Sequence, residues 1–211
     1  MIKKAVQKLS NLIQKPDHSP LRKGKKTNFI FIHINKTGGT SIANAIGLPN
    51  KRHLPVREVI EMVGQKEFED AFVFAVIRNP WDKVVSHYKY RIKTGQTGMT
   101  QEGISFKDWV RRTYGQEKDP VYYDIPQMFA PQVDWLRDQN DQITDVHIMK
   151  FESLNADFQE VARIIGLRTE LPHLNATKKD HYSTYYDGET IEIIRQWFHE
   201  DIQRFNYSFE A

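Results

Sequence analysis

Cysteine is absent from the 211-residue chain, so no disulfide contributes to its fold. A reducing compartment is therefore expected, and we predict a cytoplasmic protein. No apolar run approaches the roughly 20 residues that span a bilayer, and none resembles the core of a secretory signal. Histidine and acidic residues nowhere recur with metal-ligand spacing, and no segment repeats another. The sequence therefore predicts a protein without a metal centre or a repeat architecture.

The net positive charge of the chain is confined to the first 28 residues. The net charge is +3, but residues 1–28 alone carry +7, so the remaining chain carries −4. Within residues 1–14, apolar side chains recur every three or four positions between lysines, which is typical of an amphipathic helix. Such a helix either packs on the body or lies peripherally on an anionic inner membrane surface. Nucleic acid is a weaker expectation, because no aromatic or arginine pattern accompanies the lysines.

The composition predicts one globular domain behind this arm. With 39% hydrophobic and 12% aromatic residues, the chain can build one substantial core. Residues 16–26 are polar and are expected to form a linker. We therefore divide the chain into residues 1–28, an arm with its linker, and residues 29–211, an α/β domain.

The clearest local pattern lies in residues 29–46. Five of the six residues 29–34 are apolar, which is typical of a strand buried on both faces. After Asn35 come Lys36, Thr37, Gly38, Gly39, Thr40 and Ser41, followed by a short helical pattern. A glycine turn at this position lets backbone N–H groups approach a phosphate, and a lysine adds a cation. An ordinary turn with a surface lysine would share the pattern. The lysine precedes the glycines, unlike that of an ATP-binding loop.

A second buried strand, residues 72–77, is followed by the helix signals Asn79 and Pro80. Arg78 stands between strand and helix, at the carboxyl edge where α/β sheets bind ligands. Its guanidinium offers a bidentate fork for phosphate, whereas a kinase-like site would place a magnesium-binding aspartate there. An ion pair with a neighbouring acid is the alternative role. Ser86 lies eight residues further, in the helix.

Together these two stretches resemble the cofactor motifs of the sulfotransferases that use 3′-phosphoadenosine 5′-phosphosulfate (PAPS). The resemblance extends over residues 29–207 and is closest to the carbohydrate 2-O- and chondroitin-type branch with its bacterial relatives. Residues 36–41 match the 5′-phosphosulfate loop of the family, and Arg78 and Ser86 match its 3′-phosphate motif. Asn35 departs from the family, which usually has proline there, and we expect a slightly looser turn.

The resemblance implies a three-layer, P-loop-like α/β fold whose mainly parallel sheet is flanked by helices. It implies sulfuryl transfer to an acceptor hydroxyl, on a carbohydrate, without a metal. Lys36 would then be catalytic. His53 is one of eight histidines, and it precedes the Arg78 motif by about the distance at which the family has its catalytic base. Without the resemblance it would be a solvated loop residue. His33 and Glu102 are the alternative bases. Thr177 and Lys178 either contact the cofactor or belong to a solvated loop.

Several assignments remain open from the sequence. A magnesium-dependent phosphotransferase using ATP is one alternative function, and a non-catalytic nucleotide-binding adaptor is another. The acceptor is also open, since a lipid or a small metabolite could replace the carbohydrate. Residues 94–103 are expected at the mouth of the acceptor site, and residues 119–131 line an acceptor cleft or merely pack. Residues 143–149 predict a third strand, and residues 154–165 predict a helix stopped by Gly166.

Overall fold

The computed structural model describes residues 19–48, 52–96, 99, 103–168, 171 and 180–210. The predicted arm helix within residues 1–14 lies outside this part of the chain. The same holds for Glu102 and for the predicted cofactor contacts Thr177 and Lys178.

The described residues form a four-stranded sheet whose strands follow chain order. These strands are β1 (Leu21–Lys23), β2 (Asn28–Ile32), β3 (Phe72–Ile77) and β4 (His147–Lys150). β1 runs antiparallel to β2, whereas β2, β3 and β4 are parallel. The predicted α/β fold with a mainly parallel sheet is therefore confirmed.

Two expectations about strands are wrong. Residues 16–26 contain β1, which pairs with β2, so they are not simply a linker. A three-residue strand is too short to leave a periodic signal, and its pairing partner Ile30 is supplied from outside the segment. The third parallel strand begins at His147 rather than at residue 143, because Ile143 instead forms an isolated antiparallel bridge with Arg137.

Helices form much of the remaining described chain. They are α1 (Gly39–Ala45), α2 (Val56–Val63), α3 (Gln65–Glu69), α4 (Pro80–Lys93), α5 (Phe106–Tyr114), α6 (Pro126–Phe129), α7 (Leu154–Ile165), α8 (Gly188–Trp197) and α9 (His199–Phe205). As predicted, Asn79 caps α4 by accepting from the Trp81 N–H, and α7 stops at Gly166 in the left-handed conformation. Among the described helices, none is both long and apolar enough to cross a bilayer.

Alternate residues of the central strands pack into opposite layers. Ile30 and Ile32 join a core cluster with α2, whereas Phe29 and Phe31 join a second cluster with α1 and α7. Because both faces of β2 are buried, consecutive residues of the strand are apolar, whereas a strand with one buried face would be apolar only at every second residue. A third cluster, which is rich in aromatic rings, joins α4, α5 and α8. The sheet is thus covered on both faces, and both predicted motifs emerge at its carboxyl edge.

Candidate active site

The carboxyl ends of β2 and β3 open into one cavity of about 480 Å³. Its walls contain most of the predicted site residues, namely Lys36, Gly38, Gly39, Thr40, Ser41, His53, Arg78 and Ser86. The structure therefore brings together two motifs that are about forty residues apart in the chain. It also adds wall residues from α4 and from the segments that follow it and precede α6.

The glycine loop is tightly constrained by its neighbours. A Cβ on Gly39 would lie 2.1 Å from Cδ2 of His33, so no larger residue fits without displacing that ring. Gly38 adopts φ +83°, a left-handed conformation that favours glycine. The fully buried Thr37 hydroxyl donates to the Ile34 carbonyl at 2.9 Å, so this side chain stabilises the turn instead of lining the cavity. The loop thus presents backbone to the cavity.

Lys36 is the one loop residue with a long side chain directed to the wall of α4. Its ammonium lies 3.9 Å from the centroid of the Tyr90 ring, a cation–π contact. Its backbone has φ +64°, which costs about 1–2 kcal/mol for a residue with a Cβ. Its carbonyl accepts a hydrogen bond from the Arg78 guanidinium at 3.1 Å. The strained turn and the second motif are therefore in direct contact.

Arg78 is buried at the end of β3, with 7% of its surface exposed. Its guanidinium stacks 4.0 Å from the Phe151 ring and pairs with Asp82, the terminal nitrogen lying 2.6 Å from a carboxylate oxygen. The ion pair that the sequence left as an alternative therefore exists. Asp82 and the Lys36 carbonyl engage three of the five guanidinium donors, so donors remain for a further anion. Ser86, two turns along α4, is partly buried on the same wall.

His53 is held in one tautomer. Its Nδ1 lies 2.8 Å from the His33 carbonyl oxygen, which can only accept, so Nδ1 carries the proton and Nε2 the lone pair. Burial lowers the pKa of His53, and the charges of Lys36 and Lys83 lower it further, against the opposing effect of this hydrogen bond. The imidazole is therefore neutral at pH 7. His33, the alternative base, is only 5% exposed and stacks on Phe31.

The sequence interpretation missed two further ionisable wall residues on α4. His87 is 4% exposed, and its pKa lies well below the usual value, first because of burial and then because of Lys83 and Arg91. Arg91 is 1% exposed and donates two hydrogen bonds to Asp124, at 2.9 and 3.0 Å. Positions 83, 87 and 91 recur every four residues, so the sequence itself shows that these three side chains share one face of the predicted helix.

No group of three or more histidine or acidic side chains comes together as metal ligands among the described residues. What the cavity concentrates is positive charge, hydrogen-bond donors and a neutral imidazole. Such a set suits an anionic ligand beside a group that loses a proton.

Three comparisons relate the chain to known proteins. An uncharacterized protein of Archaeoglobus fulgidus is 30% identical over 132 residues, which are 61% of this chain and 97% of that protein. The crystal structure of a sulfotransferase from Alicyclobacillus acidocaldarius covers 89% of this chain with 97% of its own, at 16% identity and a TM-score of 0.47. The model of the sulfotransferase family matches residues 21–208. This match covers most of the chain, β1 and both cavity motifs included, and the protein therefore belongs to the sulfotransferase family.

Proposed function

We propose that this protein transfers the sulfuryl group of PAPS to a hydroxyl of a carbohydrate acceptor. The observation that carries the proposal is the 3.1 Å hydrogen bond between the Arg78 guanidinium and the Lys36 carbonyl. It joins a phosphate-type loop to a buried arginine fork in one cavity. A nucleotide with an anionic group on both its 5′ and 3′ positions matches two adjacent anion sites better than ADP or ATP does.

The glycine loop takes the 5′-phosphosulfate in this mechanism. The Lys36 ammonium and the backbone N–H groups of residues 37–41 stabilise the bridging phosphate oxygen as it gains negative charge. Because that charge develops in the transition state, these contacts favour turnover more than ground-state binding. The Thr40 and Ser41 hydroxyls supply additional donors. For Lys36 the step requires a rotation away from Tyr90, within reach of its flexible stem.

The second motif takes the 3′-phosphate. Donors of Arg78 that are not engaged by Asp82 or Lys36 bind this phosphate, together with the Ser86 hydroxyl. Thr177 and Lys178, which lie outside the described residues, are proposed to contact the nucleotide as well. The 3′-phosphate is what separates PAPS from the common adenine nucleotides.

His53 acts as the general base. The acceptor oxygen attacks sulfur, the bond between sulfur and the bridging phosphate oxygen breaks, and the acceptor proton passes to Nε2 of His53. The Nδ1 hydrogen bond to the His33 carbonyl holds the ring and leaves Nε2 for that proton. A positioned base of this kind contributes about 10²–10⁴-fold to the rate. No metal takes part in this mechanism.

The acceptor enters from the side of Gln96 and Ile125, which line the cavity and belong to the two segments predicted for this role. Tyr90, with 44% of its surface exposed, provides an aromatic face against which a sugar ring can stack. A carbohydrate is proposed because of the resemblance to the carbohydrate-modifying branch. The Gln96 amide is suited to its hydroxyls.

Calorimetry with adenosine 3′,5′-bisphosphate, and separately with ADP and magnesium, tests the donor. We expect the bisphosphate to bind more tightly, and Arg78→Ala to weaken it by roughly 1.5–3 kcal/mol, the value of a charge-assisted contact. Tighter binding of magnesium–ADP would instead support an ATP-dependent phosphotransferase. Binding of the bisphosphate without transfer from PAPS to any sugar acceptor would support the adaptor.

We further propose that residues 1–14 contact an anionic membrane surface. The support is their amphipathic pattern and the excess of lysine in the arm. Full-length protein should co-sediment with vesicles containing phosphatidylserine and dissociate in high salt, whereas protein lacking residues 1–14 should stay in solution. Equal sedimentation of both proteins would contradict this role.

A further inference from the structure

Arg78 is held by a residue that neither motif contains. The buried Gln132 side chain makes two hydrogen bonds to the Arg78 backbone, accepting from its N–H at 2.9 Å and donating to its carbonyl at 2.9 Å. Because a carbonyl can only accept, the second bond fixes which end of the Gln132 amide is nitrogen. A paired contact of this kind sets both the position and the direction of one peptide unit.

This contact lies where the sheet ends. The pairing of β3 with β4 stops at Ile77 and Lys150, so Arg78 is the first residue beyond the ladder. Its backbone N–H and carbonyl are buried and need partners there. The Gln132 amide bonds to the Arg78 backbone as a further residue of a neighbouring strand would. The backbone hydrogen bonding therefore continues for one position beyond β3, to the residue that carries the guanidinium.

Asp201 of α9 fixes Gln132 in turn. One of its carboxylate oxygens accepts from the Gln132 backbone N–H at 2.8 Å and from the side-chain amide at 3.1 Å. The other accepts from the Val133 N–H at 2.9 Å. Asp201 is fully buried, and burial raises the pKa of its carboxyl to about 6, against the opposing effects of these hydrogen bonds and of the charge of Lys83. The Gln132 amide cannot rotate without breaking its contacts to this buried carboxyl group.

We propose that Gln132 and Asp201 are positioning residues that aim the Arg78 guanidinium at the 3′-phosphate of the nucleotide. This inference rests on the proposed function and assigns to it two residues from the second half of the chain. Asp82, Phe151 and the Lys36 carbonyl hold the far end of the Arg78 side chain, whereas Gln132 holds its origin. When the Arg78 backbone is no longer held by Gln132, the guanidinium stays paired with Asp82 and moves away from the 3′-phosphate position.

A purely structural role would lower stability and affect all nucleotides alike, so the decisive quantity is selectivity. We would measure the affinities of adenosine 3′,5′-bisphosphate and of adenosine 5′-monophosphate by calorimetry. Gln132→Met keeps the side-chain length but makes no such hydrogen bonds. We expect it to lower the affinity for the bisphosphate about tenfold, because a binding group is less well placed when its supporting contacts are lost. The 5′-monophosphate should change by less than about twofold, since its phosphate binds the other loop.

Asp201→Asn provides the second variant, in case Gln132→Met does not fold. It keeps the shape of the side chain but removes the charge that orients Gln132, and we expect a smaller loss in the same direction. Val161→Ala is the matched control, because it removes buried volume from α7 in the core cluster behind the sheet, away from the cavity. It should lower the melting temperature without changing the ratio of the two affinities.

The outcomes separate this inference from the proposed donor. Wild-type protein that binds the two nucleotides equally would overturn the PAPS proposal and, with it, the role of Arg78. Wild-type selectivity that persists unchanged in the folded variants would overturn the inference alone. Selectivity lost in the variants and kept in Val161→Ala would establish it.

Discussion

The two halves of the cavity are built differently. On the donor side, Asn35, Ser41 and Arg78 are each less than 8% exposed, and hydrogen bonds with neighbouring segments hold the walls in place. On the acceptor side, Tyr90 and Ile125 are 44% and 51% exposed. The donor half is therefore arranged before a ligand arrives, whereas the acceptor half is composed of side chains that can still adjust. Under the proposed function, a fixed donor site beside an adaptable acceptor site would let one scaffold serve different acceptors.

The difference follows from where each half is attached. The donor walls are the first residues beyond β2 and β3, and parallel strands in the middle of a covered sheet are rigid supports. The acceptor walls come from the last turns of α4 and from the segments after α4 and before α6, none of which directly follows a strand. Substitutions should therefore act sharply on the donor side and at the base, and weakly on the acceptor side.

The largest loss is expected for His53→Ala. Turnover should fall by about 10²–10⁴-fold because the general base is removed, with nucleotide binding near wild type. In the wild type, activity should rise with pH through the pKa of His53, which burial places below 6.5, and this acidic limb should disappear in the variant. Steady-state kinetics between about pH 4.5 and pH 8 would test both points, because this range extends to either side of the ordinary histidine pKa of about 6.5. His199→Ala, an exposed histidine on α9, is the control. A variant that keeps most of its activity would place the base elsewhere.

Lys36→Ala should follow, with turnover lowered by about 10²–10³-fold, the range for one donor to a developing oxyanion. Nucleotide affinity should fall much less, because the charge on the leaving oxygen appears only in the transition state. Comparison of kcat with the calorimetric Kd measures the two effects separately. Lys66→Ala is the control, because Lys66 is an exposed lysine of α3 that pairs with Asp70. It should change neither kcat nor the Kd of the nucleotide. A change confined to KM would make Lys36 a ground-state anchor.

Gly39→Ala tests the rigidity of the donor half. The added methyl group would overlap the His33 ring, whose carbonyl holds His53, so we expect about a tenfold or larger loss of nucleotide affinity as well as slower turnover. Gly188→Ala, where a Cβ meets no atom within 4 Å, should bind like the wild type. Unchanged affinity in Gly39→Ala, measured by calorimetry, would mean that the loop adapts more readily than its packing indicates.

The smallest change is expected on the acceptor side. Ile125→Ser should raise the KM for a carbohydrate acceptor by roughly fivefold or less, since a half-exposed apolar side chain contributes about 1 kcal/mol. The Kd of adenosine 3′,5′-bisphosphate should stay unchanged. Val121→Ser is the matched control, because Val121 is 46% exposed but does not line the cavity. A loss of nucleotide binding in Ile125→Ser would show that the two halves are not independent.

The same contrast explains which features the sequence predicts. β2 and β3 are continuous apolar runs, and residues 36–41 and Arg78 follow them directly, so local pattern is sufficient to place them. The hydrogen bond from His53 to the His33 carbonyl joins residues on either side of α1 and is invisible in any local window. Gln132 has no helical or strand periodicity to mark it, and its role depends on contacts with Arg78 and Asp201. Features that depend on tertiary contacts therefore had to come from the structure.

The hydrogen bonds behind Arg78 also impose an order in time. A chain that is being synthesised has completed both cofactor motifs once residue 86 has emerged. Gln132 lies 54 residues after Arg78, and Asp201 follows another 69 residues later. A nascent or prematurely terminated chain can therefore present the glycine loop and the guanidinium, but its arginine is not yet held in place. Under the proposed function, full discrimination of the 3′-phosphate would be acquired only when α9 docks.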